Sequence, residues 1–222
     1  MVISAIVADG ALTKTGAGTL ALTGANLYTG PTTVSAGTLL VNNTSGSGTG
    51  TGTVSVASGA TLGGTGTIAG NTTVSGILSP GNAGIGTLHT GSLTWNGVAD
   101  NKWIFDLGST GNSDLLSITG DFLKGSGNVF MFDFSGSSTA SGKWTLVEWT
   151  GTNPTGFITS DFSSSGLAGS FTLKANSLEF STTAVPEPST WISMAALVLG
   201  GGLLVMRRRA RSEGAHASRV LS

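Results

Sequence analysis

Three copies of Thr-Val-Ser stand twenty residues apart, at Thr33-Val34-Ser35, Thr53-Val54-Ser55 and Thr73-Val74-Ser75. Each is followed by a glycine turn and a leucine: Gly37-Thr38-Leu39, Gly59-Ala60-Thr61-Leu62 and Gly76-Ile77-Leu78, with an earlier copy at Gly18-Thr19-Leu20. So short a unit cannot bury its apolar residues alone, and copies must stack on one another. Leu20 and Leu22, like Val54 and Val56, alternate with small or polar residues, the period of a half-buried strand. Glycine and β-branched residues dominate and disfavour helix. The pattern predicts an all-β fold, a parallel β-helix (solenoid) with one rung per twenty residues.

Between Lys14 and Asp100 no residue carries a formal charge, and Asn, Thr, Ser and Gly supply all the polarity. Glycine numbers 36, and charged residues make up 9% of the chain, against roughly 25% in ordinary soluble domains. Asn42 to Gly52 reads locally as a flexible linker. There is no cysteine, which excludes disulfides, thiolate metal sites and cysteine nucleophiles. The net charge of −1 does not suggest a nucleic-acid partner.

The composition changes near Leu93. All nine Phe and four of the five Trp lie between Trp95 and Phe180. Short apolar runs such as Val129-Phe130-Met131-Phe132 and Trp144-Thr145-Leu146-Val147 alternate with turn residues. Residues 1–94 therefore read as β-helical repeats. Residues 95–184 read as an aromatic-rich all-β portion, either a small sandwich or wider final rungs that cap the coil.

Few residues offer catalytic chemistry. His89 is the one histidine before the tail, and a surface role is expected for it. Asp100, Asp106, Asp114, Asp121 and Asp133 are the clustered carboxylates; paired acids can hydrolyse glycosides, but most of these sit beside turn formers. Calcium is a lesser option, because the repeats lack an aspartate in each rung. Gly64-Thr65-Gly66-Thr67-Ile68-Ala69 fits a loose dinucleotide pattern without the required helix and reads as a turn. Trp103, Trp144 and Trp149 have the chemistry to stack on sugars, but core packing is the stronger expectation. The reading is of a chain that is not an enzyme and uses no cofactor or metal.

The C-terminus has three parts. Val185-Pro186-Glu187-Pro188 is held extended by its prolines. Thr190 to Met206 is uncharged and would form a helix of about 25 Å, short but sufficient for one transmembrane helix. Arg207, Arg208, Arg209 and Arg211 follow, which keeps that end cytoplasmic. Residues 212–222 read as a disordered tail. The order over Val185–Arg211 resembles the PEP-CTERM sorting signal of Gram-negative bacteria. That resemblance implies an exosortase as processing partner, a transient inner-membrane stage through residues 190–206, and delivery to the cell surface or extracellular matrix.

Leu12-Thr13-Lys14-Thr15-Gly16-Ala17-Gly18-Thr19-Leu20, Leu22 to Gly30, and Thr32-Thr33-Val34 through Leu39 resemble the autotransporter-associated β-strand repeat. This second resemblance implies a right-handed coil displayed at a surface. The first residues, Met1 to Asp9, do not resemble a signal peptide, which suggests a sequence that starts inside a longer repeat protein. The function expected is structural or adhesive, within a matrix that includes exopolysaccharide. The alternative is a surface protein that binds or cleaves polysaccharide along one face of the coil.

Overall fold

The structure is a computed structural model. It describes residues 1–81, 84–137, 139–152 and 156–182, within a unit spanning Met1–Thr183. The expected sorting signal, transmembrane helix and tail lie outside the described residues. Among the described residues no helix is long and apolar enough to cross a membrane.

The first half winds as short strand pairs: β1 (Val2–Ile3), β2 (Leu12–Lys14), β3 (Thr19–Leu22), β4 (Thr32–Val34), β5 (Thr38–Val41), β6 (Val54–Val56), β7 (Thr61–Gly64), β8 (Thr72–Val74) and β9 (Ile77–Pro80). The odd-numbered strands form one sheet, in the order β1-β3-β5-β7-β9, and every pairing in it is parallel. Leu20, Leu39, Leu62 and Leu78 face one another rung by rung in that sheet, all inward. Strands β2, β4, β6 and β8 form a second parallel sheet. Parallel strands require a crossover between them, and here each crossover is the next strand of the coil.

The rungs do not keep a strict period of twenty. Val34 faces Val56, and Val56 faces Val74, so the three Thr-Val-Ser copies are not all in register. The middle copy is displaced by two residues, giving successive rungs of 22 and 18 residues. A displacement of two leaves every side chain on its original face, whereas a displacement of one would turn the buried set outward. Val34, Val54, Val56 and Val74 all stay at or below 2% exposure.

Asn42 to Gly52 is not a linker. Asn43, Gly48, Thr49 and Gly50 are buried, and the segment forms a third side of the coil. The Gly48 N–H donates to the Thr67 carbonyl (2.8 Å) and the Asn26 N–H to the Ser47 carbonyl (2.8 Å). Asparagine side chains tie this side between rungs. Asn26 accepts from the Val7 N–H at 2.8 Å and donates to the Gly48 carbonyl at 2.6 Å. Asn43 accepts from the Thr67 N–H at 3.0 Å. Buried backbone groups must find partners, and amides that both donate and accept supply them.

Glycines stack at the corner that precedes the second sheet. A Cβ at Gly30 would strike the Gly10 carbonyl, one at Gly52 the Gly30 carbonyl, and one at Gly70 the Gly52 carbonyl. At Gly91 it would lie 2.9 Å from the Gly70 oxygen.

The aromatic portion continues as wider rungs. Strands β10 (Thr87–Thr90), β11 (Leu93–Gly97), β12 (Trp103–Ile104), β13 (Leu115–Ile118), β14 (Phe122–Gly127), β15 (Phe130–Asp133), β16 (Lys143–Trp149) and β17 (Phe162–Ser165) follow. β11 pairs in parallel with both β8 and β14, extending the second sheet. β10, β13 and β16 run parallel in another sheet, and β12, β15 and β17 in a last one. The direction then reverses: β19 (Ser177–Ser181) is antiparallel to β16 and to β18 (Ser170–Leu173). That hairpin covers an edge that would otherwise stay open. Inside, Trp95 stacks on Trp103 with centroids 3.6 Å apart, and Phe130 and Phe132 meet Trp95 edge-on at 5.2 and 5.4 Å.

Candidate functional site

Val185, Pro186, Glu187, Pro188, Arg207, Arg208, Arg209 and Arg211 all fall outside the described residues. The sites that can be built here belong to the coil.

Trp103, Trp144 and Trp149 are 0%, 1% and 2% exposed. They are core residues and present no ring to a sugar. The Trp144 indole N–H donates to the Ser109 carbonyl at 3.1 Å, while those of Trp95, Trp103 and Trp149 have no partner among the described residues.

His89 lies half-buried on β10, directly beside Ser117 on β13, which in turn faces exposed Glu148 on β16. The three share one outward row. The row places the serine in the middle, whereas an acid–base relay to a serine nucleophile places the imidazole in the middle. The backbone around His89 continues the coil: its N–H donates to the Gly66 carbonyl at 3.0 Å, and its carbonyl accepts from Ile68 at 2.9 Å. Gly64 to Ala69 is accordingly a stretch of coil with no helix after it, and it forms no dinucleotide cradle.

The aspartates divide by burial. Asp100 is exposed, and Asp133 accepts from the Ser135 N–H at 2.9 Å in a turn. Asp121 receives the N–H and hydroxyl of Thr152 at 2.7 and 2.9 Å. Asp114 departs from the solubilising role expected of it, being 3% exposed. Its two oxygens accept the backbone N–H groups of Gly86 and Asp106, both at 2.9 Å, and so join two loops. Among the described residues no group of three His, Asp or Glu side chains is placed to hold a metal ion.

Burial pushes the Asp114 carboxyl up to about 6, against the pull of those two N–H donors and with added repulsion from Asp106. A carboxyl whose folded pKa is raised contributes stability that is fully present below its unfolded value and is lost as pH rises through the folded one. For Asp114 that window runs from about 4 to about 6. It is worth at most about 3 kcal/mol. Glu179 acts in the opposite sense: burial alone would raise it, but Lys143 and Lys174, at 2.6 and 2.5 Å, hold it low. Its contribution is lost only as pH falls below the usual carboxylate range. Thermal melts should therefore show the midpoint rising as pH drops from 7.5 to 5, and Asp114→Asn should flatten that rise. A wild-type midpoint independent of pH over this interval would contradict the assignment.

A family model described as the passenger-associated-transport-repeat matches residues 12–41, which span β2 to β5. An extracellular serine protease of Serratia marcescens is 38% identical over 123 residues, covering 54% of this chain and 11% of that protein. A further extracellular serine protease of that species is 38% identical over 125 residues, 52% of this chain and 11% of the relative. The adhesin BmaC autotransporter of Brucella suis biovar 1 (strain 1330) is 42% identical over 88 residues, 39% of this chain and 3% of the adhesin. The chain thus spans about a tenth or less of the length of these curated relatives. Residues 12–41 carry the autotransporter-associated β-strand repeat, and an autotransporter adhesin is among the proteins to which the chain is similar. The expectation of a chain that is not an enzyme is overturned: two of these relatives are named as serine proteases.

Proposed function

We propose that the chain is an exported protein whose β-coil body serves a structural or adhesive role at the cell surface or in the extracellular matrix. The observation that carries this reading is the passenger-type repeat at residues 12–41, folded as stacked parallel rungs. The residues 185–211 supply the route. In this reading the apolar stretch 190–206 lodges in the inner membrane with Arg207, Arg208, Arg209 and Arg211 on the cytoplasmic side. An exosortase then recognises Pro186-Glu187-Pro188 and cuts nearby, and the body leaves toward the surface.

The test is the C-terminal mass of the protein recovered from its native host, fraction by fraction. A C-terminus near Pro186-Glu187-Pro188 in surface or medium fractions is the expected result. A chain ending at Ser222 and retained in the inner membrane would defeat the sorting mechanism.

A further inference from the structure

The outward row of the second sheet consists of hydroxyls. Thr13, Thr33, Ser55, Thr73 and Thr94 face one another in direct register across β2, β4, β6, β8 and β11. Thr13, Ser55 and Thr73 are exposed, and Thr33 and Thr94 half-buried. Two residues further on, just past the ends of β2, β4, β6 and β8 and within β11, come Thr15, Ser35, Ala57, Ser75 and Asn96. This second column adds hydroxyls or an amide at four of five rungs. Neighbours within the face approach one another: Ser55 Oγ lies 3.5 Å from Thr33 Oγ1, and Asn96 Nδ2 donates to Ser75 Oγ at 2.9 Å. Leu123 on β14 ends the first column.

Strand propensity does not account for this. Exposed strand positions favour Val, Ile and aromatic residues as much as Thr, and the neighbouring sheet is built under the same demand. Its outward rows are Thr19, Thr38, Thr61, Ile77 and Ala21, Leu40, Gly63, Ser79. The first ends at Ile77 after three rungs, and the second carries a single hydroxyl, at Ser79. The hydroxyl face also carries no charge. Lys14, the one ionic residue on those five strands, turns inward, and its ammonium donates to the carbonyls of Thr15, Gly16 and Ala36 at 2.9, 2.7 and 3.0 Å.

We infer that this face binds an extended, uncharged, β-linked glycan laid along the coil axis. Successive strands repeat every ~4.8 Å, about the length of one sugar in such a chain; successive β-1,4-linked sugars turn over, so alternate sugars present the same hydroxyls to alternate rungs. An uncharged face gives no electrostatic grip on a polyanion. Each neutral hydroxyl contact contributes little, so retention arises from many rungs engaging one polymer and grows with its length. This inference deepens the surface-matrix reading and rests on it only for where the protein meets the glycan. Binding is measured on purified protein, so its failure is distinct from a failure of the sorting mechanism.

The experiment is retention of the full chain on amorphous cellulose, a neutral β-1,4-glucan, beside cello-oligosaccharides of increasing length and alginate as a polyanion. The expected result is retention on the polymer, competition that strengthens with oligosaccharide length, and no preference for alginate. The variant Thr33→Val/Ser55→Ala/Thr73→Val/Thr94→Val keeps strand-forming shapes and removes the hydroxyls. It should weaken retention on the order of thirtyfold. Thr38→Val/Thr61→Val on the other sheet should leave it unchanged. The single variant Thr73→Lys, which sets a strongly hydrated charge amid the face, should weaken retention as well and serves if the fourfold variant does not fold. Absence of retention, retention untouched by the hydroxyl-face variants, or equal loss in the other-sheet variant would overturn the inference. So would arrest of ice growth without glycan retention, which would assign the face to the lattice of ice.

Discussion

Trp103→Ala is expected to cost about 3–5 kcal/mol, enough to unfold the aromatic end of the coil near body temperature. Trp103 is fully buried. It stacks on Trp95 at 13° between planes, and Phe122 and Phe132 lie 6.3 and 6.0 Å away. The substitution leaves a cavity under a stack that supports β12, β15 and β17 together, and such a site collapses poorly because the surrounding strands are fixed by parallel ladders. Trp103→Phe separates the ring from the polar atom. The indole N–H has no partner among the described residues, so its removal takes away a buried donor with no bond to lose there and the loss should be much smaller than for alanine. Trp144→Phe is the converse, since that N–H does bond the Ser109 carbonyl; the carbonyl keeps the Asn112 N–H at 2.8 Å, so the loss is that of one hydrogen bond, about 1 kcal/mol. Urea unfolding followed by tryptophan fluorescence would order the three variants. Equal costs for Trp103→Ala and Trp103→Phe would show that the stack does not support the end of the coil.

The parts of this fold that were legible in the sequence are those written as side-chain alternation. Leu20, Leu39, Leu62 and Leu78 could be picked out because strand periodicity and burial speak through the same residues. The register of β6 could not be. Thr53-Val54-Ser55 matches its neighbours letter for letter, yet pairs two residues away, and either alignment buries the same kinds of residue. The third side of the coil was hidden for a different reason. Asn42 to Gly52 has a linker's composition, and its order comes from the amides of Asn26 and Asn43 bonding backbone in other rungs, which no local pattern announces. Asp114 is similar: nothing in Ser113-Asp114-Leu115 marks a carboxyl that will join Gly86 to Asp106. For the candidate functional face, threonines were visible as outward residues. Their alignment into one column needed the observed register. The Pro-Glu-Pro, apolar stretch and arginine order remains a sequence-level feature, because it lies beyond the described residues.

The glycine corner provides the second large effect, and it comes from backbone packing. Gly70→Ala is expected to destabilise the coil by roughly 3 kcal/mol. Its added methyl meets the Gly52 carbonyl, and neither that carbonyl nor the one behind it at Gly30 can retreat without disturbing the next rung. The atoms struck are main chain, so no rotamer change relieves the contact. Joining Gly52→Ala to Gly70→Ala should cost more than the sum of the two single changes, because both push along one stack. Gly18→Ala is the control. Its Cβ meets nothing within 4 Å, and the change lowers the entropy of the unfolded chain, so it should be neutral or stabilising by about 0.5 kcal/mol. Urea midpoints for the four proteins separate the two explanations of a glycine-rich coil. If Gly18→Ala and Gly70→Ala cost the same, glycine here reflects only local turn preference. A large cost at Gly70 with none at Gly18 means that glycine sets how closely successive rungs approach, and therefore the spacing at which the outward hydroxyls are presented.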